Sequence, residues 1–426
     1  MKTKFSIPEK WLYYAIFFFG SLFNFFTSMS KVLVPGTVFD ELQSDLKISG
    51  ATLSLMGSVY MYCYAASQLL VGVLTTRFGG VRILLWGGSI FVFGSMIFPL
   101  LSNPYLMILA RAITGLGAGS CFVGLARIIS DMFPVKFTFM LGLALFINYL
   151  GPVTGGLPMT WLSNYTGWRT TLLIPAILSA INIIICFVLL RKKAGPISKE
   201  GTFKPLFIIL SQVDNWKLYI TSSVVFGAFY TILTIMGKKA LIDFCKLSPA
   251  VAATWITIPA ILIAFCNLAT GKVISLLGNK HKKLVLFASI FSFLGIALAC
   301  VSFTCELGAT FVISSYLIMA IPAGFFALYC TISKELNPPE YIGLALAILN
   351  FFAFAIIALD GNIAGFILKL FETRENLSPE GIYNYPPSAY AIIFGVLSLL
   401  AIIGLIAALF LPETGTKSQN LTADKK

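Results

Sequence analysis

The chain has 426 residues, of which 58% are hydrophobic and only 11% are charged, and its mean hydropathy is +0.91. This composition excludes a soluble domain with a charged surface and is typical of a protein with many membrane spans. The formal net charge of +13 does not indicate nucleic-acid binding, because the Lys and Arg residues form short clusters between apolar runs. Membrane topology explains that distribution, so we expect the lipid bilayer and no nucleic acid as a partner.

The first apolar run, residues 11–34, is long enough to cross about 30 Å of hydrocarbon and lacks a small-residue cleavage site, which predicts a span rather than a signal peptide. Five further spans are predicted in the N-terminal half, at 51–74, 83–101, 105–129, 138–163 and 170–190. Six are predicted in the C-terminal half, at 217–237, 249–275, 284–303, 309–333, 342–370 and 388–411. The predicted fold is an all-α membrane protein with twelve transmembrane helices in two pseudo-symmetric six-helix bundles.

This pattern divides the chain into segments whose roles differ. They are an N-terminal tail (1–10), a first six-helix bundle (11–190), a basic connector (191–216), a second six-helix bundle (217–411) and a C-terminal tail (412–426). Most Lys and Arg residues lie on the side that holds both tails, and the positive-inside bias places both termini in the cytoplasm of a plasma (inner) membrane protein. Within the connector, the apolar piece from Phe203 to Leu210 is too short to span and predicts an interfacial helix.

Metal, cofactor and enzyme chemistry have little support in the sequence. The eight cysteines lie mostly within spans and form no Cys-x-x-Cys pair, and the single histidine, His281, lies in a basic turn. No Gly-x-Ser-x-Gly elbow and no phosphate-binding Walker sequence is present. We therefore expect neither a metal site, nor a cofactor, nor an enzyme.

The loop after span 2 reads Gly72-Val-Leu-Thr-Thr-Arg-Phe-Gly-Gly-Val-Arg82. It resembles the signature loop between spans 2 and 3 of the major facilitator superfamily, in which glycines, an acid and basic residues recur at fixed spacing. Gly72, Arg77, Gly79 and Arg82 fit that pattern, whereas Thr76 stands where the family has an acid. The resemblance implies that this loop helps to latch the two halves together on the cytoplasmic side.

The corresponding loop of the second half repeats the glycine spacing. Gly271 and Gly278 stand as far apart as the two glycines of the first loop, and lysines follow them. An internal repeat at matching positions of two six-span halves is expected of a duplicated transporter, with substrate bound near the midplane between the halves. The resemblance covers essentially the whole chain and implies the major facilitator fold.

Span 4 contains Arg111-Ala-Ile-Thr-Gly-Leu-Gly-Ala-Gly119, which is similar to the Arg-x-x-x-Gly-x-Gly pattern of the same superfamily. A guanidinium inside an apolar span is costly unless it faces a polar cavity or a partner, so Arg111 is a candidate substrate contact. The alternative is a structural ion pair or a side chain that reaches outward to water.

Span 5 contains Gly142 and then Gly151-Pro152-Val153-Thr154-Gly155-Gly156. This resembles the superfamily's span 5 motif, Gly, eight residues, Gly-Pro-x-x-Gly-Gly, which is associated with antiporters. Gly151 and Gly155 share a helix face and permit close backbone approach, while Pro152 removes a backbone donor. These residues are predicted to serve conformational change, and plain helix packing is the alternative.

Polar residues inside spans usually line a cavity, since burying them in lipid is costly. Those at helical spacing or deep in a span are Asn24, Ser28, Lys31, Tyr60, Tyr64, Gln68, Asn148, Thr231, Thr234, Lys238, Asn350 and Asn362. Lys31 on span 1 and Lys238 on span 7 occupy matching places, an arrangement that resembles the organophosphate antiporters and organic anion symporters of the superfamily. Two ammonium groups facing one cavity repel unless an anion bridges them, which predicts an anionic substrate. Alternatively both lysines, which lie toward the outer ends of their spans, anchor a gate or the membrane interface.

Asp360 is the one carboxylate that we predict deep within a span, and it is the candidate for carrying a coupling proton. The alternative is an ion pair with Arg111 or a lysine. We therefore expect a monomeric secondary transporter that moves a small organic anion by alternating access, proton-coupled or by exchange. The alternatives are a drug/proton antiporter, an amino-acid or nucleoside permease, and a transporter-like membrane sensor that binds ligand without moving it.

Overall fold

The computed structural model describes residues 9–133, 137–190, 204–338, 341–379 and 381–415. In these ranges the regular secondary structure is helical, and an isolated β-bridge pairs Leu377 with Tyr383. The helices of the N-terminal half are α1 (Glu9–Val32), α2 (Phe39–Leu46), α3 (Gly50–Ile97), α4 (Pro104–Met132), α5 (Phe137–Gly155) and α6 (Leu157–Leu190). Those that follow are α7 (Lys204–Leu210), α8 (Val213–Thr231), α9 (Gly237–Asp243), α10 (Pro249–Leu276), α11 (His281–Thr304), α12 (Ala309–Ala323), α13 (Phe326–Leu336), α14 (Ile342–Leu370) and α15 (Pro387–Leu409).

The described residues contain eleven helices that are long and apolar enough to cross a membrane, and a shorter apolar helix at Leu143–Gly155. Together these twelve segments correspond to the twelve predicted spans, and the predicted all-α membrane fold is confirmed. Predicted span 5 (138–163) is divided, because the helix breaks at Gly156 after Pro152 and continues as the start of α6. The helix runs through Pro152 and its regular pattern is interrupted only at Gly156, although the Gly156 backbone still donates to the Pro152 carbonyl over 3.0 Å.

Two long helices each contain parts of two successive spans joined by a sharp bend at glycine. Gly79 in α3 has φ +77° and ψ 157°, and Gly167 in α6 has φ +76° and ψ 160°. A side chain at either position would be strained in this backbone region, which glycine adopts without a steric penalty. The bends turn α3 and α6 back across the bundle, as the predicted turns at these positions require.

The connector contributes α7, which agrees with the predicted helix at Phe203 to Leu210. The side chain of Asn215 donates a hydrogen bond to the Ile209 carbonyl over 3.0 Å, and Trp216 donates to the Leu210 carbonyl over 2.8 Å. These bonds attach α7 to the start of α8. The basic part of the connector, 191–203, lies outside the described residues.

Both described chain ends lie at one end of the helix bundle. The first turns of α1 contact the residue that follows α4, with the Tyr14 and Phe133 ring centroids 5.6 Å apart. Gly415, after α15, packs against Asn279 in the turn between α10 and α11. Since successive spans alternate in direction, these contacts define one end of the bundle, which we call the terminal end. The opposite end, which we call the distal end, is formed by the end of α1, by α2 and α9, and by the loop before α15.

Candidate functional site

Lys31, in the last turn of α1, lies where the two halves meet. The side chain is only 5% exposed, and its ammonium nitrogen is 3.9 Å from the centroid of the Tyr64 ring and 4.4 Å from that of Phe354. Tyr64 belongs to α3 in the N-terminal half and Phe354 to α14 in the C-terminal half. In the described part of the chain no carboxylate lies within ion-pair distance of Lys31, and the contacts that stabilise its ammonium group are the two ring faces.

The rings around Lys31 belong to a larger aromatic cluster that joins the two halves. Its members are Tyr60, Tyr64, Phe226, Tyr230, Phe326 and Phe354. The Tyr64 and Phe354 centroids are 4.5 Å apart across the halves, and those of Phe226 and Tyr230 are 4.1 Å apart along α8. Sequence reasoning singled out the two α3 tyrosines and assigned nothing to the phenylalanines. The signal that it missed is a pair of aromatic residues four apart on span 7, which matches the pair on span 2.

The polar candidates on α1 and α5 are brought together. The Ser28 hydroxyl donates to Asn148 Oδ1 over 2.7 Å, and Asn24 lies one turn before Ser28 on the same helix. Asn24 is buried, and its Nδ2 has no hydrogen-bond partner among the described residues. Gln68 instead bonds within the N-terminal half, donating to the Gly119 carbonyl over 3.0 Å.

Arg111 is held by the end of α1 rather than by a carboxylate. Its Nη2 donates to the Val34 carbonyl over 2.9 Å and its Nη1 to Ser30 Oγ over 3.2 Å, and the guanidinium carbon is 4.3 Å from the Tyr60 ring centroid. The backbone leaves the helical region at Val34, in the π-helical segment Leu33–Thr37 that follows α1, so carbonyl groups are free to accept. The side chain lines a small cavity of about 30 Å³ inside the N-terminal half, which also includes Thr114.

Asp360 is buried within the C-terminal half, at the contact between α14 and α8. One carboxylate oxygen, Oδ2, lies 3.4 Å from the position that a Cβ would take at Gly227, and Oδ1 has no hydrogen-bond partner among the described residues. The ion pair with Arg111 that the sequence left open is not formed, because the guanidinium donors are directed to oxygens of α1, of the segment that follows it and of α3. Asn350 lies earlier on α14 and is half-buried.

The distal end is closed by a charged contact between the halves. Lys239 Nζ is 2.9 Å from Oδ1 of Asp40, in the N-terminal half, and 2.9 Å from Oδ1 of Asp243, in its own half. The neighbouring Lys238 donates a 2.5 Å hydrogen bond to the backbone carbonyl of Thr37. We call these five residues the distal closure: Thr37, Asp40, Lys238, Lys239 and Asp243. Lys31 and Lys238 thus have different partners, one in the aromatic cluster and the other in the distal closure.

The loop between α14 and α15 reinforces the distal closure. The backbone of Tyr383 donates to Gln43 Oε1 over 3.0 Å, and Glu372 accepts from the Gly50 backbone over 2.6 Å and from the Tyr385 hydroxyl over 3.0 Å. Burial and the adjacent Glu372 carboxylate raise the pKa of Tyr385 above its ordinary value, so its hydroxyl keeps the proton that it donates. The N-terminal half is therefore bonded to the C-terminal half at several points of this end.

A family profile described as Major Facilitator Superfamily matches residues 17–359 and 241–426, which together take in nearly the whole chain. The chain belongs to the major facilitator superfamily. It is therefore a multi-pass integral membrane protein of that superfamily.

Curated relatives within the superfamily are distant and match only in part. The MFS-type transporter ungB of Aspergillus violaceofuscus is 26% identical over 218 residues, covering 44% of this chain and 39% of the relative. The multidrug resistance protein MdtL of Escherichia coli is 27% identical over 216 residues, covering 49% of this chain and 51% of the relative. The chain thus spans about half or less of the length of these relatives.

Solved transporter structures superpose on nearly the full length of the chain. A peptide transporter POT superposes with a TM-score of 0.72 at 16% identity, covering 97% of both chains. A D-xylose-proton symporter superposes with a TM-score of 0.69 at 14% identity, covering 94% of this chain and 98% of the other. At these identities the likeness establishes the fold alone.

The span 5 motif of the superfamily lies against α1. A Cβ at Gly151 would stand 2.5 Å from the Phe25 carbonyl oxygen, and one at Gly155 would stand 3.2 Å from the backbone oxygen of Met29. The Thr37 hydroxyl donates to the Gly155 carbonyl over 2.6 Å. Gly142 and Pro152 lie within the same helix. The two glycines therefore permit the close α1–α5 contact that the motif predicts.

The superfamily's turn glycines have different surroundings. Gly79 and Gly278 have φ values of +77° and +66°, which suit glycine at a bend. Gly72 packs against α14, with a Cβ position 3.5 Å from that of Ala347, so it lies at a contact between the halves. At Gly271 no atom lies within 4 Å of the Cβ position. In the first turn Arg77 is exposed, and Arg82 donates to the Phe78 carbonyl over 3.2 Å.

Proposed function

We propose that the chain is a secondary transporter that moves a small organic anion by alternating access, with Lys31 as the group that meets the anion. The observation that carries the proposal is the buried Lys31 ammonium, which lies between the halves and has aromatic rings but, among the described residues, no carboxylate beside it. A buried cation without a counter-ion is stabilised by an anionic ligand. The aromatic cluster would accept an apolar or aromatic part of that ligand.

Alternating access requires that one end of the bundle closes while the other opens. The distal closure supplies contacts that join the halves at one end, through Lys239 with Asp40 and through Lys238 with Thr37. We propose that these contacts break when the distal end opens. The positive-inside bias supports cytoplasmic termini in a plasma (inner) membrane, so the distal end would face the outside.

Asp360 is our candidate for coupling transport to a proton. Its carboxylate is buried beside Gly227, at a contact between two helices, and Oδ1 lacks a hydrogen-bond partner among the described residues. A carboxyl group that lacks a counter-ion can change its charge state without breaking an ion pair. Proton binding there would alter the α8–α14 contact, and α8 leads into the distal closure.

Export of lipophilic cations in exchange for protons is a second candidate. It is favoured by the likeness of about half the chain to MdtL, which is named a multidrug resistance protein. The aromatic cluster and the Asp360 carboxylate would suit a large apolar cation as well. In this case Lys31 would compete with the substrate for the rings.

Transport into proteoliposomes with an imposed proton gradient separates the two candidates. The solutes are labelled aromatic carboxylates and phosphates, with cationic dyes as the second class, and the variants are Lys31→Gln, Lys31→Arg and the exposed control Lys369→Gln. Loss of one charge-assisted contact costs about 1.5–3 kcal/mol, so kcat/KM for an anion should fall about 10- to 150-fold in Lys31→Gln. Lys31→Arg should retain part of the activity and the control all of it. Dye export that is unchanged in Lys31→Gln, with no anion transported by the unsubstituted protein, would overturn the anion proposal.

A further inference from the structure

A cleft with a volume of about 450 Å³ opens at the distal end, beside the distal closure. It is lined by Asp40, Glu41, Ser44, Asn164, Lys238, Lys239, Ile242, Pro249, Ser378, Ile382 and Asn384. Asn164 and Asn384 are exposed, so the cleft communicates with solvent at this end. The volume lies within the range of about 300–1,000 Å³ that is usual for small-molecule sites. Its walls come from both halves, and they include neither Lys31 nor the aromatic cluster.

The charges that line this distal cleft sum to zero, but only some of them form close ion pairs. Lys239 is bound by Asp40 and Asp243, both at 2.9 Å. The other two charged residues, Lys238 and Glu41, form no ion pair within 4 Å among the described residues and retain unused hydrogen-bonding capacity. Lys238 is buried and Glu41 is half-buried. Unused polar groups in such a position are costly unless a ligand or water satisfies them.

The unused groups are of opposite kinds. Lys238 has three N–H donors, and its bond to the Thr37 carbonyl uses one of them, with no further acceptor among the described residues. Glu41 accepts from the Ser163 hydroxyl at Oε1 over 3.2 Å, while its buried Oε2 has no partner among the described residues. The cleft therefore offers a cationic donor from the C-terminal half and an anionic acceptor from the N-terminal half.

We propose that the distal cleft binds a small zwitterion of the amino-acid type. The ligand carboxylate accepts from Lys238, and the ligand ammonium donates to the half-buried carboxylate of Glu41. Ile242, Pro249 and Ile382 give the cleft an apolar wall, which favours an aliphatic side chain. Such a ligand leaves the net charge of the cleft unchanged and satisfies both groups at once.

This binding has a consequence for the transport cycle. Glu41 and Lys238 lie on opposite halves, so a ligand that contacts both binds the closed distal end more tightly than an opened one. By linkage, it shifts the population toward the closed form and opposes opening. A zwitterion supplied on the distal side therefore acts as an inhibitor, whichever solute is transported at the Lys31 site.

The charge requirement is tested with three probes of nearly the same shape. L-Leucine carries both charges, 4-methylpentanoate is leucine without its amino group, and 3-methylbutylamine is leucine without its carboxylate. Calorimetric titration of the full chain in detergent should show leucine binding at least about tenfold more tightly than either singly charged probe. Equal binding of leucine and 4-methylpentanoate, or no leucine binding, would overturn the proposal.

Substitutions then locate the bound leucine. Glu41→Gln and Lys238→Gln should each weaken leucine binding at least about tenfold, and leucine should bind Glu41→Gln no better than 4-methylpentanoate does. The exposed controls Glu375→Gln and Lys369→Gln, at the same end, should bind leucine as the unsubstituted chain does. Folding of every variant is checked by thermal melting, and if Lys238→Gln does not fold, Glu41→Gln and the probe series decide.

A separate variant distinguishes the distal cleft from the proposed anion site. Loss of leucine binding in Lys31→Gln would place leucine at the aromatic cluster and would overturn the distal assignment. Retention of binding in that variant, together with loss in Glu41→Gln, would support it. Either result leaves the anion proposal to be judged by its own transport assay.

Discussion

Replacing Asp40 with Asn should shift the protein toward a state in which the distal end is open. Lys239 has two carboxylate partners, and Asp40 is the one that belongs to the other half. Asp40→Asn removes this charge across the halves, while Asp243 continues to balance the Lys239 ammonium within the C-terminal half. The substitution therefore weakens the closed state without leaving a buried lysine unpaired.

The size of the shift follows from the burial of the pair. The side chain of Lys239 is 1% exposed and that of Asp40 is 20% exposed, so the pair is intermediate between surface and buried ion pairs. Surface pairs contribute about 0.2–1 kcal/mol, and breaking a buried pair costs about 3–5 kcal/mol. We expect about 1–3 kcal/mol, which corresponds to a change of about 5- to 150-fold in the ratio of closed to open forms.

Double electron–electron resonance between spin labels on the two halves measures this ratio. Tyr165→Cys in the N-terminal half, where the native side chain is 88% exposed, and Glu375→Cys in the C-terminal half provide label sites near the distal end. The exposed native thiol is removed by Cys305→Ser. Asp40→Asn should increase the population of the longer interlabel distance.

The matched control is Asp45→Asn at the same end. Asp45 pairs with Arg169 inside the N-terminal half, so its loss should lower stability slightly without changing the interlabel distances. An identical distance distribution in Asp40→Asn and the unsubstituted chain would refute our reasoning. An equal shift in Asp45→Asn would show that the change reflects general loosening of this end.

Three further predictions concern packing, backbone conformation and titration. Gly151→Ala should lower stability by about 1–3 kcal/mol in thermal melts, because the added Cβ would meet the Phe25 carbonyl oxygen. Gly271→Ala is the control, since no atom lies within 4 Å of its Cβ position, and it should melt as the unsubstituted chain does. Equal melting temperatures of the two variants would contradict this reasoning. Gly79→Ala should cost about 1–3 kcal/mol in the same assay because of its φ of +77°, and an unchanged melting temperature would show that the bend relaxes. Burial raises the pKa of Tyr385, so this residue should stay protonated at pH values near the ordinary tyrosine pKa of about 10. The tyrosinate absorbance of Tyr385→Phe should therefore equal that of the unsubstituted chain at those pH values. A lower absorbance in Tyr385→Phe would show that Tyr385 ionises there.

The helices and their turns could be predicted from the sequence because their causes are local. Apolar runs long enough to cross a bilayer correspond to the observed helices, and the bend at Gly79 and the break after Pro152 fall within the sequence motifs. Periodicity, proline and glycine act on the chain within a few residues. The membership of the family follows from the same local motifs.

The partners of the charged side chains were decided only by the tertiary structure. Lys31 and Lys238 occupy matching places in the repeat, yet one lies against Tyr64 and Phe354 and the other bonds to the Thr37 carbonyl. Arg111 donates to the Val34 carbonyl, in the kinked segment that follows α1. Lys239, which sequence reasoning did not select, joins the two halves through a residue about 200 positions away. Such contacts depend on how helices distant in sequence are arranged, and spacing along one helix carries no information about that arrangement.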